Sequence, residues 1–389
     1  MPDADLGARL RSALDARRAE NALRSLRLPG SLVDFCSNDY LGFARSPQLR
    51  RTVQEKYAGT TNALLGSTGS RLISGNSELC ESLERQIARF HQAEAGLLFN
   101  SGYDANLGVF SSIPQRSDTV LYDELVHASI RDGIRLTFAK SYSFRHNDLD
   151  DLKRRIALGR GHVFVAVESV YSMDGDEAPL SEMASLCMEQ GCHLIVDEAH
   201  ATGIFGPDGR GRTVELNLQD KVFARLHTFG KALGSHGAIV LGTDTLRAFL
   251  INFARSFIYT TFLPPHSLLA VQSAYEMLGS SAPLIEKLHR NIRLFRSAIL
   301  EEGNQSLIRS DSAIQSLLIP GNDQVKQAAS YLQDHGFDVR PILSPTVPKG
   351  KERLRVCLHA FNEPSEIERL TELIKTFIHH AERAAVTGP

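Results

Sequence analysis

The chain has 389 residues, 42% of them hydrophobic, with 43 basic and 45 acidic side chains and a net charge of −2. That length and apolar content suit a large core divided among two or more domains. The balanced charge excludes the basic surplus of a nucleic-acid binder, and no apolar run approaches the ~18 residues of a membrane helix. The cysteines, Cys36, Cys80, Cys187, Cys192 and Cys357, are odd in number and lack zinc spacing or a Cys-x-x-Cys pair. They read as reduced thiols of a cytoplasmic protein, and no metal site is expected.

Residues 4 to 27 read as an amphipathic helix, with Leu6, Leu10, Ala13 and Leu14 on one face, and Pro29-Gly30 ends it. Asp3, Asp5, Asp15 and Glu20 argue against a transit peptide, because such peptides avoid acids. Val33 to Cys36 reads as a short strand. Gly66-Ser67-Thr68-Gly69-Ser70-Arg71 is a small-residue loop, equally an ordinary turn or a close approach to a ligand. Ser77 opens a helix carrying Leu79, Leu83, Ile87 and Phe90. Gly96 to Phe99 is a strand entering Asn100-Ser101-Gly102-Tyr103 and then a helix, an arrangement that offers free N–H groups to a phosphate.

Strands and helices then alternate. Thr119 to Tyr122 is a strand, Asp123 to Leu136 a loop and helix, and Val163 to Val167 a strand ending in Glu168-Ser169. Leu180 to Gln190 is a helix, and strand 193–196 follows. Such alternation predicts a mostly parallel sheet with covered faces. Leu194-Ile195-Val196 is a short apolar run that ends in Asp197, and Val222 to Phe229 is a second run that ends near Thr228 and Lys231. Ligands gather at the carboxyl ends of strands in such sheets. A carboxylate and a lysine on nearby strand ends suit pyridoxal phosphate (PLP), with the lysine bonding the cofactor's aldehyde and the acid pairing with its ring nitrogen. The text Asp197-Glu198-Ala199-His200 also spells a helicase box. That box needs a phosphate loop, and no Gly-x-x-x-x-Gly-Lys-Ser/Thr occurs.

Gly237 to Leu241 is a further strand, 244 to 258 a helix, and Pro264-Pro265 starts another. From residue 285 the texture changes to a smaller α+β domain. It holds a helix from Leu284 to Glu302, strands at 314–319, 337–342 and 354–358, and a helix from Asp323 to Gln333. A last helix opens on a capping box at Ser365-Glu366-Ile367-Glu368. The expected organisation is an arm over 1–45, a large domain over 46–284 and a small domain over 285–389.

Several ordered motifs carry a family resemblance over nearly the whole chain. They are Ser37-Asn38-Asp39-Tyr40-Leu41-Gly42, Asn100-Ser101-Gly102-Tyr103, His127-Ala128-Ser129, His146-Asn147-Asp148, Ser172-Met173-Asp174-Gly175, Asp197 to Gly203 and Thr228-Phe229-Gly230-Lys231. On them the chain resembles the α-oxoamine synthases, PLP enzymes of fold type I. The resemblance implies an α/β fold with a mostly parallel, seven-stranded type of sheet in the large domain. It implies PLP as cofactor and decarboxylative condensation of an amino acid with an acyl thioester. Softer matches at Leu14 to Arg18, Tyr259 to Pro265 and Pro345 to Pro348 point to L-alanine and a pimeloyl thioester, carried on coenzyme A or a carrier protein.

The same resemblance implies roles. Lys231, His127 and Asp197 form the catalytic group: Lys231 bonds the cofactor and moves protons, Asp197 pairs with the ring nitrogen, and His127 stacks on the ring. His200 and Ser172 serve the cofactor's phenolic oxygen. Gly102, Tyr103 and Thr228 hold its phosphate end or ring. Arg24, Thr346 and Arg355, with His127, serve the substrates, Arg355 at the amino acid's carboxylate. Family members are homodimers with sites at the interface, so Thr260 or Thr261 is expected to reach the partner's phosphate. Two departures stand out: Asp197-Glu198 where Asp-Asp is frequent, and Leu343-Ser344 where some members carry an arginine. The open alternatives are a synthase using glycine or serine, such as a glycine C-acetyltransferase or a serine palmitoyltransferase-like enzyme, and, more remotely, a DEAH-box-like nucleic-acid remodeller.

Overall fold

The computed structural model describes residues 3–26, 28, 30–60, 64–300 and 306–386. The chain forms two units. The smaller comprises Met1–Ser37, Met173–Gly175 and His289–Pro389, and the larger comprises Asn38–Ser172 and Asp176–Leu288. Strand β1 (Val33–Asp34) belongs to the smaller unit. The larger is built on β2 (Ala95–Phe99), β3 (Thr119–Asp123), β4 (Lys140–Phe144), β5 (Val163–Glu168), β6 (His193–Asp197), β7 (Ala224–Thr228) and β8 (Ala238–Gly242).

These strands lie in the order β2-β8-β7-β6-β5-β3-β4. β4, β3, β5, β6 and β7 pair in parallel, and β8 runs antiparallel to both β7 and β2. The carboxyl ends of β2, β3, β5, β6 and β7 therefore share one edge of the sheet with the start of β8. Leu194, Ile195 and Val196 are each at most 1% exposed, as a strand covered on both faces requires. Helices Gly102–Ser112 and Ala128–Leu136 pack closely because Gly133 leaves room: a Cβ there would meet the Asn106 carbonyl at 3.0 Å.

In the smaller unit, β9 (Ile314–Leu318), β11 (Arg340–Ile342) and β12 (Arg353–Cys357) form an antiparallel sheet, while β10 (Phe337–Asp338) pairs in parallel with β1. The strand expected over 337–342 is thus two strands. Val339 turns the chain, its N–H on the Phe337 carbonyl at 3.1 Å, so that each half serves a different sheet.

Other boundaries differ for local reasons. The first helix is Asp3–Ala19, not 4–27. Asn21 adopts φ +49°, the Asn21 N–H donates to Arg18 O at 2.9 Å, and the Ala22 N–H donates to Arg17 O at 2.8 Å. That is a Schellman stop, for which asparagine is the usual substitute for glycine. Pro29, the expected breaker, lies outside the described residues. Leu6, Leu10 and Leu14 are 47–57% exposed, so their face is left open by the described residues. The helix over 244–258 is interrupted at buried Ala254, whose backbone is extended, and the helix expected to reach Glu302 is Ala282–Leu300, with 301–305 outside the described residues. The last helix begins at Pro364, so its cap lies two residues before the predicted box. Proline favours the first helical position, and the Glu366 carboxylate reaches back to the Glu363 N–H at 2.9 Å.

Behind the sheet, the rings of His91 and His227 lie 3.9 Å apart between centroids, both fully buried. His91 Nδ1 meets the Arg210 carbonyl at 2.8 Å, and its Nε2 meets the Tyr275 hydroxyl at 3.0 Å. Burial pushes His91 down to about 3 from the ordinary 6.5, and burial also lowers His227, aided by His91 and Arg225. Folding therefore keeps both rings neutral where the unfolded chain protonates them. The stability they contribute is complete well above pH 6.5 and is lost as pH falls below it, for His91 down to about 3. Urea unfolding should show this loss between pH 6.5 and 5, and His91→Gln should remove about one proton from the dependence. An identical pH dependence in His91→Gln would contradict the assignment.

Candidate active site

A cavity of about 260 Å³ opens where the parallel strands of the larger unit end. The sheet order explains its walls: β2 leads into Ser101 and Gly102, β3 into His127, and β5, β6 and β7 end on Glu168, Asp197 and Thr228. Lys231 follows β7 by three residues and also lines the cavity.

Asp197 is 6% exposed. Its Oδ2 accepts from Asn106 Nδ2 at 2.8 Å and its Oδ1 from the Ala199 N–H at 2.9 Å. Asn106 also reaches Ser129 Oγ at 3.0 Å. His127 caps the helix Ala128–Leu136, and its Nδ1 accepts from the Ser129 N–H at 3.2 Å. Burial lowers its pKa, against the pull of Asp197 and with the push of Lys231. An acceptor Nδ1 and a lowered pKa both describe a neutral imidazole. His200 is buried, with Nδ1 2.8 Å from the Tyr40 hydroxyl. Glu198, the departure beside Asp197, turns away from the cavity and accepts the Arg212 and Thr213 N–H groups at 2.9 and 2.7 Å.

At the other end of the cavity, Ser101 caps the helix Gly102–Ser112 through the Asp104 N–H, and Gly102 and Tyr103 line the wall at that helix's N-terminus. The Tyr103 hydroxyl donates to Asp132 at 2.5 Å. A Cβ at Gly102 would sit 2.5 Å from Thr228 Cγ2, and Thr228 Oγ1 is buried with no partner among the described residues. A helix N-terminus, a glycine approach and an orphaned hydroxyl together suit an anion such as a phosphate. A buried carboxylate and a lysine on the same cavity complete a set that fits PLP.

Gly102, Tyr103, His127, Asp197, His200, Thr228 and Lys231 are thus brought together as expected. Ser172 and Thr261 do not line this cavity. Ser172 is buried, with its N–H directed to the Glu168 carboxylate. Thr261 is exposed, and its carbonyl accepts from Asn100 at 2.7 Å. The loop Gly66–Arg71 is not part of the cavity either. Ser67 Oγ donates to Phe262 O at 2.8 Å, Gly69 O accepts the Phe262 N–H at 3.0 Å, and Arg71 pairs with buried Glu84. Asn106 and Glu168 also line the cavity, and the sequence reading did not single them out as site residues. Each left a signal: Asn106 is an amide among the apolar residues of its helix, and Glu168 ends an apolar strand just as Asp197 does. Burial and the charge of Asp197 push the Glu168 carboxyl up, although it accepts the His127 N–H at 2.5 Å.

In the smaller unit, Arg24 Nη2 donates to Thr346 Oγ1 at 3.0 Å. Both line a separate cavity of about 310 Å³, with Arg17 beside them. Arg353 and Arg355 are buried on one face of β12, not solvated. Arg353 pairs with Asp174, and Arg355 Nη1 donates to Cys357 Sγ at 2.9 Å.

Fold and cavity define a PLP enzyme of fold type I. The family model for aminotransferase class I and II matches residues 31–374. An 8-amino-7-oxononanoate synthase of Emericella nidulans is 46% identical, over 96% of each chain. Among solved structures, 8-amino-7-oxononanoate synthase from Francisella tularensis has a TM-score of 0.77 at 28% identity, covering 90% of this chain and 99% of that one. A serine palmitoyltransferase from S. paucimobilis, solved with a bound PLP–myriocin aldimine, has a TM-score of 0.86 at 26% identity, covering 95% and 96%. The chain belongs to the aminotransferase class I and II family and, within it, to the α-oxoamine synthases.

Gly102→Ala should bind PLP roughly ten-fold more weakly, because the added methyl closes the approach beside Thr228. Titration of the apoprotein measures this, with the unfolding temperature as control. An unchanged dissociation constant would place the phosphate elsewhere.

Proposed function

We propose that this protein is a PLP-dependent acyltransferase that condenses L-alanine with a pimeloyl thioester, giving 8-amino-7-oxononanoate, carbon dioxide and free thiol, a step of biotin biosynthesis. The observation that carries the reading is the full-length 46% identity to such a synthase, in a chain whose cavity gathers Lys231, Asp197 and a phosphate cradle.

PLP, when bound, supplies an aldehyde that takes up the amino acid's nitrogen and a protonated ring that draws electrons from its α-carbon. Asp197, aligned by Asn106 and the Ala199 N–H, would hold the charge at the ring nitrogen. His127, neutral and fixed by Ser129, would lie flat on the ring. His200 would serve the phenolic oxygen, and Ser172, bonded through its N–H to Glu168, is assigned with it. Gly102, Tyr103 and Thr228 would hold the phosphate. Lys231 Nζ would take the α-proton of alanine and return a proton once carbon dioxide has left.

Arg355 is assigned to the alanine carboxylate, since a guanidinium matches its two oxygens. Arg24 and Thr346, already joined by a hydrogen bond, are assigned to the acyl substrate. A homodimer with shared sites follows the family pattern: Thr260 or Thr261 would reach the partner subunit's phosphate, and the exposed Leu6, Leu10 and Leu14 have a surface to meet. Arm, large domain and small domain, divided near residues 45 and 284, remain the proposed organisation. Among the described residues no helix is long and apolar enough to cross a membrane, and the proposed location is the cytoplasm.

The likeness to a serine palmitoyltransferase at TM-score 0.86 favours one second reading, a synthase joining serine to a long-chain thioester. A panel of alanine, glycine and serine against pimeloyl, acetyl and palmitoyl thioesters separates the two. Alanine with the pimeloyl thioester should be the best pair by at least ten-fold in kcat/KM, with release of thiol. Preference for serine with palmitoyl thioester would replace this function with the second reading.

A further inference from the structure

The motif His146-Asn147-Asp148 has no part in the chemistry described above. His146 lies in the loop after β4, 22% exposed in its side chain. Its Nδ1 is 2.9 and 3.1 Å from the two oxygens of Asp123, at the end of β3, and its Nε2 is 2.6 Å from Asp176 Oδ2. Asp123 already accepts the Leu125 and Asn147 N–H groups at 2.8 and 2.9 Å, which marks it as an acceptor. Two carboxylates on the two ring nitrogens require a proton on each, so the ring is an imidazolium. Burial disfavours that charge, but the hydrogen bonds and charges of Asp123 and Asp176 outweigh it and push the ring up to about 10.

The clamp grips one turn. The Asp176 carbonyl accepts the Tyr171 N–H at 2.9 Å, and the His146 ring meets the Tyr171 ring edge-on at 4.5 Å. Asn147 Nδ2 donates to Asp176 Oδ2 and to Glu177 O, both at 3.1 Å. Val170 bridges Glu177 across the base of the turn. Ser172, which follows Tyr171 into the turn, directs its N–H to Glu168, which lines the cavity and also holds the His127 N–H.

We propose that His146 is a positioning residue for the cofactor site: as a cation between Asp123 and Asp176 it fixes the Tyr171–Asp176 turn, which keeps Ser172 on Glu168 and Glu168 on His127. Its link to the reaction rests on the PLP reading of the cavity. The test compares wild type, His146→Gln, and His146→Gln with Asp176→Asn, all in the full chain. Amide exchange over 169–178 is read by mass spectrometry in the apoprotein, and PLP affinity by titration. His146→Gln should speed exchange over 169–178 at least ten-fold, leave 193–197 as in wild type, and weaken PLP several-fold. The double variant removes a carboxylate left facing Asp123 without its cation, and should recover part of both effects. A role in stability alone would lower the unfolding temperature and leave PLP affinity unchanged. That result, or unchanged exchange over 169–178, overturns the proposal. Wild-type protein that fails to bind PLP would overturn the functional reading and the clamp's link to it, while the exchange result is obtained without cofactor.

Discussion

The burial of Asp197 is the constraint on which the rest of the site depends. A carboxylate removed from water at the end of β6 needs donors, or its desolvation goes uncompensated. Asn106 and the Ala199 N–H supply them, at 2.8 and 2.9 Å. Each donor has structural consequences. Asn106 reaches from the buried face of its helix, beside Ala105, Val109 and Phe110, and that helix must lie close to its neighbour, which Gly133 permits. The same helix begins at Gly102, so the element that steadies the carboxylate at one end of the cavity supplies the phosphate cradle at the other.

A second carboxylate, Glu168, ends the adjacent strand β5, opposite Asp197 in the parallel register. Two acids side by side in a dry edge repel, and burial together with Asp197 pushes Glu168 up. The charge of Lys231 and the backbone N–H groups of His127 and Ser172 oppose that rise. The proposed roles divide accordingly: Asp197 would face the cofactor's ring, while Glu168 ties together the chain segments at His127 and Ser172. Behind these, His146 joins Asp123 and Asp176, so the strand-end acids of β3, β5 and β6 are each compensated in a different way.

Much of this was legible in the sequence. The apolar runs ending in Asp197 and near Lys231 marked the sheet edge correctly, because a short run buried on both faces has few other uses. Much of the cavity is lined by the last residues of strands, Glu168, Asp197 and Thr228, or by residues two to four positions beyond strand ends, Ser101, Gly102, His127, His200 and Lys231, which is where a parallel sheet places ligands. β4 and the helix Leu149–Ile156 went unread. β4 is an edge strand of sequence Lys140-Ser141-Tyr142-Ser143-Phe144 with exposed positions, so it lacks the apolar signature of the inner strands. The stop at Asn21 was hidden because the hydrophobic spacing continues to Leu23, and only the backbone shows the left-handed turn. Asn106 and Glu168 left local signals, but their partners lie 91 and 41 residues away in sequence, so what they hold was not legible.

The central claim is that Lys231 and Asp197 face one PLP molecule. Borohydride reduction of the purified protein loaded with PLP, followed by peptide mass spectrometry, tests it most directly. The account predicts a pyridoxyl phosphate adduct on the Lys231 peptide, lost in Lys231→Ala and present but formed at a lower cofactor occupancy in Asp197→Asn. An adduct on another lysine, or none on the wild-type protein, would contradict it.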